Sequence, residues 1–137
     1  MFYLDERLKR DTFEIGCMEL SMLLLMNDGS LPWLILVPRR EDVNEICELS
    51  PLDRCMLIEE ISVVSELMRK LYKPYKINVA ALGNVVPQLH VHIVGRFPDD
   101  RAWPDPVWGR GLPEPYEDAA ARAEAERVRM ELKGRLG

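Results

Sequence analysis

Only two histidines occur in the chain, and both lie in one run, Gln88-Leu89-His90-Val91-His92. Side chains two apart on an extended strand share a face and sit about 7 Å apart along it. One imidazole can then attack a phosphorus atom while the next donates to its oxygens. Imidazole suits that chemistry because its pKa of about 6.5 leaves a neutral, nucleophilic nitrogen near pH 7. The other ring nitrogen can donate to a backbone carbonyl or to the Gln88 side chain, which fixes the tautomer. Paired strand histidines also suit zinc, but a third ligand is needed. No Cys, Asp or Glu follows at a short, regular spacing, so no metal site is expected. On spacing alone, two half-exposed histidines without a role remain the plain alternative.

The elements that must position this pair can be read from the pattern. Residues 20–26 form an apolar run rich in Leu and Met. Asn27-Asp28-Gly29-Ser30 supplies turn chemistry, and Trp33-Leu34-Ile35-Leu36-Val37 is a second run stopped by Pro38. Two strands joined by a turn predict a hairpin, with a further strand over 12–19. Ser50-Pro51-Leu52-Asp53 is a helix start: Ser50 can cap, Pro51 suits the first turn, and Asp53 complements the dipole. Leu57, Ile61, Val64, Met68 and Leu71 then recur at helical spacing as a core stripe until Pro74, with Glu66 and Lys70 placed to pair. A strand over 77–82, a turn at Gly83-Asn84 and a strand over 88–94 follow. In the last, Leu89, Val91 and Ile93 point to one face, and Gln88, His90 and His92 to the other. A loop rich in Pro and Trp spans 97–115, and residues 117–133 predict a charged, solvated helix. The sum is an α+β domain with a mostly antiparallel sheet and two helices.

Composition narrows the partners. The 137 residues suit a single domain, 1–137, and 18 basic against 23 acidic side chains give a net charge of −5. That balance argues against binding a nucleic acid polymer or an anionic membrane by bulk charge, but not against a small anionic ligand. Cys17, Cys47 and Cys55 form no Cys-x-x-Cys pair and predict free, mostly buried thiols in a reducing compartment. No signal peptide and no membrane-spanning run is visible, which predicts a cytoplasmic protein.

The stretch from Asn78 through Gly83-Asn84 to His90-Val91-His92-Ile93-Val94 resembles the signature of the histidine triad (HIT) family, His-φ-His-φ-His-φ-φ, where φ is apolar. The strand Trp33 to Arg39 resembles the family's earlier core strand, so the resemblance runs over about 20–108. It is similar to a bacterial branch described as diadenosine polyphosphate hydrolase-like. The resemblance implies a HIT-like fold with about five antiparallel strands and the 50–72 helix packed on them, and a homodimer. It implies His90 as nucleophile and His92 at the scissile phosphate. Asn78 matches the Asn that helps hold phosphate, and Asn27 or Asp28 is placed like the residue that holds a ribose. Asn84, Trp33 and Trp108 complete the candidate nucleotide contacts; Trp103 and Trp108 are each placed either to stack on a base and close the pocket or to pack in their loop. Arg96 and Arg101 are weaker candidates for phosphate.

Two positions depart from the pattern. Gln88 replaces the first histidine; an amide can orient His90 but cannot titrate. Trp33 stands where the family has its outlying histidine, and Val85 where many members have a polar residue. The expected activity is hydrolysis of a nucleotide phosphate ester, anhydride or phosphoramidate, or nucleotidyl transfer, through a covalent nucleotidyl-histidine with no cofactor. The alternative that Gln88 and Trp33 motivate is a catalytically weak nucleotide-binding or dimeric interaction module.

Overall fold

The structure, a computed structural model, describes residues 1–137. In chain order the elements are α1 (Glu6–Asp11), β1 (Thr12–Cys17), β2 (Ser21–Met26), β3 (Trp33–Pro38), α2 (Pro51–Tyr72), β4 (Lys76–Ala80), β5 (Val91–Arg96) and α3 (Asp118–Glu131), with a short 3₁₀ turn at Ile46–Glu48. The strands form one sheet in the order β1-β2-β3-β5-β4, and every neighbouring pair is antiparallel. This is the expected α+β architecture with one more helix than the sequence analysis counted. Helix α1 has six residues, and the Asp5 carboxylate accepts from the Arg7 N–H at its start.

Strand β3 is buried at every position. It is central in the sheet, so both faces need apolar cover, which is why Trp33-Leu34-Ile35-Leu36-Val37 is a continuous run rather than an alternating one. On one face Leu23, Leu25, Leu34, Leu36 and Ile93 pack with Val64, Leu67 and Met68 of α2 and Val128 of α3. On the other, Leu24, Trp33, Ile35, Val37 and Val94 pack with Leu4 and Leu8 of the amino-terminal arm and with Val107. The arm therefore covers the face that carries the histidines.

Helix α2 starts as its sequence dictates: the Ser50 hydroxyl accepts from the Asp53 N–H at 3.1 Å. It ends at Lys73, in the left-handed region at φ 51°, just before Pro74. The Glu66–Lys70 pairing does not form. Glu66 instead meets Arg69 three residues on, and Lys70 reaches Glu131 of α3. Helix α3 is not only a solvated element, because Ala121, Ala125 and Val128 are buried against the sheet. Strand β5 also starts later than expected. Leu89 donates its N–H to the Val43 carbonyl at 3.0 Å, so residues 88–90 are held by the 43–47 segment instead of by a neighbouring strand. Alternation nevertheless persists: Leu89 and Val91 pack with Leu20, Leu49 and Leu57, and the histidines point the other way.

Candidate active site

His92 sits on β5 between Ile35 of β3 and Ala80 of β4. Trp33, two residues before Ile35 and on the same face, reaches it diagonally: the indole Nε1–H donates to His92 Nδ1 at 3.0 Å. An indole N–H can only donate, so Nδ1 must be the accepting nitrogen and neutral His92 carries its proton on Nε2. Burial, and secondly the neighbouring His90, push the His92 imidazole down to about 3. It is therefore neutral at physiological pH. Trp108 closes the cluster edge-on, its ring centroid 5.1 Å from His92 and 5.8 Å from Trp33.

His90 has the opposite arrangement. Its Nδ1 lies 2.7 Å from the backbone carbonyl of Gln88. A carbonyl can only accept, so Nδ1 carries the proton and the Nε2 lone pair is free. The two ring centroids are 5.0 Å apart. The site thus pairs one imidazole with a free lone pair, His90, with one offering an N–H, His92. His90 lines a cavity of about 230 Å³ with Asn44, Glu45, Cys47, Leu82 and Pro87. A larger cavity of about 460 Å³ lies between α2 and the carboxy-terminal residues. It contains no histidine, and its buried Glu60 already accepts from the Leu20 and Ser21 N–H groups.

The structure distributes the other candidates as follows. The Gln88 side chain makes no hydrogen bond to the His90 ring. Its amide donates to the Tyr3 carbonyl at 2.8 Å and accepts from the Asp5 N–H at 2.9 Å, so it ties down the amino-terminal arm, and only its backbone carbonyl orients His90. Asn78 Oδ1 accepts from Arg96 at 2.8 Å. Arg96 is itself buried and forked onto Asp100, and it is not presented to a ligand. Asp28 is buried and holds Ser30, the Glu114 N–H and Arg101, while Asn27 accepts from the Tyr116 N–H. These groups, placed by resemblance near a ribose, instead fasten the 97–116 loop. Asn84 is exposed in its turn. Trp108 joins the histidine cluster, whereas Trp103 lies against Tyr75 and Arg96. Sequence reasoning missed Asn44, Glu45 and Cys47. The one local signal there is Glu48, three residues after Glu45, whose carboxylate accepts from the Asn44 and Glu45 N–H groups.

Comparison with known proteins decides the family. The model of the HIT domain matches residues 7–99. The chain belongs to the HIT family. A histidine triad protein from Sinorhizobium meliloti 1021 is 48% identical, with 96% of this chain and 98% of that one covered and a TM-score of 0.93. One from Marinobacter aquaeolei VT8 is 44% identical over 98% of each chain, with a TM-score of 0.94. The HIT fold alone is shared with Plasmodium falciparum diadenosine triphosphate hydrolase, at 17% identity, 100% of this chain and 86% of that one, and a TM-score of 0.64. No protein of curated function matches this HIT chain. No helix in it is long and apolar enough to cross a membrane.

Proposed function

We propose that this HIT protein cleaves a nucleotide phosphate ester, anhydride or phosphoramidate through a covalent nucleotidyl intermediate on His90. The observation that carries the reading is the opposed tautomers of the two rings: a free lone pair on His90 beside an N–H on His92. The His90 Nε2 lone pair attacks the α-phosphorus and an N–P bond forms. The bond to the leaving group breaks, and its electron pair departs with that group. His92 Nε2–H donates a hydrogen bond to a phosphoryl oxygen as charge builds there. The Gln88 carbonyl, already bonded to Nδ1–H, supports the positive charge that appears on the ring. Water or another acceptor then attacks phosphorus, the N–P bond breaks, and its electron pair returns to Nε2. Water as acceptor releases its proton to solvent, which makes the protein a hydrolase; another acceptor makes it a transferase.

Four further points belong to the same reading. Residues 1–137 act as one domain. The 230 Å³ cavity takes the nucleoside end of the substrate, because it is the opening that His90 lines. The protein is cytoplasmic. It is a homodimer; the outer edge of β4 is unpaired, and Val79 on it is half exposed.

The test is turnover of a panel of dinucleoside polyphosphates and nucleoside phosphoramidates, with and without a chelator. Wild type is expected to cleave at least one of them at the same rate in both conditions, and His90→Ala to fold but not turn over. Cleavage lost on chelation and restored by zinc, or full activity in His90→Ala, contradicts the reading.

A further inference from the structure

Trp33 replaces a family histidine, yet its indole N–H makes the hydrogen bond that the His92 ring accepts. We propose that Trp33 is a positioning residue that locks His92 as an Nε2–H donor, and that this lock bars His92 from acting as a metal ligand or as a second nucleophile. The inference rests on the phosphoryl-transfer reading above for its catalytic meaning, and on geometry alone for the lock.

The lock follows from what each group can offer. A neutral imidazole has two tautomers, and only one presents N–H to an incoming phosphoryl oxygen. The other presents a lone pair, which repels that oxygen. Metal binding or nucleophilic attack through Nε2 would require the proton to sit on Nδ1. There it would face the indole N–H at 3.0 Å, donor against donor. Rotating the imidazole by half a turn would leave the buried indole N–H without a partner, which is unfavourable in a dry site. Trp33 cannot move aside easily: it is 4% exposed, packed by Trp108 and by Leu4 and Leu8 of the arm. A tryptophan also has no ionisation in the working range, so the lock does not depend on pH, as one held by a histidine would.

The surroundings offer no competing charge. β3 presents Trp33 and Ile35 to His92, β4 presents Ala80, and the loop presents Trp108. The one titratable neighbour is His90.

The test is long-range proton–nitrogen NMR on histidine-labelled, ligand-free protein from pH 5 to 8, with kinetics on wild type and Trp33→Phe. In wild type His92 should hold a single Nε2–H tautomer throughout, unchanged by added zinc. In Trp33→Phe, which keeps a ring but loses the N–H, His92 should show mixed tautomers. The kcat should fall about 10- to 100-fold, the scale on which losing a partner that orients a metal-bound imidazole acts, with KM little changed. A wild-type His92 protonated on Nδ1, or shifted by zinc, overturns the lock whether or not the variant folds. So does a Trp33→Phe protein with the wild-type tautomer and kcat. A locked His92 in a protein that turns over no substrate supports the lock and overturns the functional reading instead.

Discussion

At the scale of single residues, the site works through what each nitrogen is prevented from doing. The Gln88 carbonyl holds the proton on His90 Nδ1, and Trp33 keeps it off His92 Nδ1. This has a consequence for stability. Burial and His90 hold the His92 imidazole at about 3 in the folded protein, against about 6.5 for an unfolded histidine. Between these values the unfolded chain binds a proton that the folded one refuses, so stability rises with pH across the window and falls as pH drops through it. We expect the melting temperature of wild type to decrease from pH 7 to pH 4, and that of His92→Gln to decrease less over the same range. Equal slopes in thermal melts of the two proteins would show that His92 is not the buried neutral group described here.

At the scale of elements, the unit that matters is the turn before β5 and what it ties together. Gln88 grips the amino-terminal arm with its amide and His90 with its carbonyl, and Arg7 adds a bond to the Val85 carbonyl at 2.7 Å. Removing the amide should loosen the arm while leaving the Gln88 carbonyl in place against the His90 ring. We expect Gln88→Ala to lose about 1 kcal/mol of stability, the net worth of one or two exchanged hydrogen bonds, and to keep the wild-type pH–rate profile. Chemical denaturation and a pH series measure both; a displaced acid limb would mean that the amide does act on His90. The same turn marks the limit of what the sequence discloses. The hairpin β2–β3, the Ser50 cap and the His90-Val91-His92 alternation were legible because they depend on local spacing. The Gln88 contact spans more than eighty residues to Tyr3 and Asp5, and the cavity wall at 44–47 is brought to the histidines by the chain path, so no local pattern carries either one. Trp33 was legible as a departure from the family pattern. Its use became visible only when the β3–β5 register placed its indole against His92.

At the scale of the whole molecule, the 97–116 loop brings Trp108 to the site and is held by buried charges. Arg96 and Asp100 are almost completely enclosed, with side chains 2% and 3% exposed. Burial raises the Asp100 carboxyl, but Arg96 and the N–H groups of Phe97 and Ala102 outweigh it and hold the group well below the usual carboxylate range. Asp100→Ala would leave Arg96 enclosed without its partner, and we expect a loss of about 3–5 kcal/mol in denaturant unfolding. A loss under about 1 kcal/mol, the worth of a surface pair, would place Arg96 in solvent instead. The loop, the arm and the sheet thus meet around two imidazoles, and the account stands on what the first of them does. The direct measurement is the intact mass of the protein, quenched in the first turnovers with an adenylated substrate. The account predicts a gain of one nucleotidyl group, labile to acid, present in wild type and absent from His90→Ala. Substrate cleaved at full rate with no such adduct at any time, or an adduct that persists in His90→Ala, would contradict it.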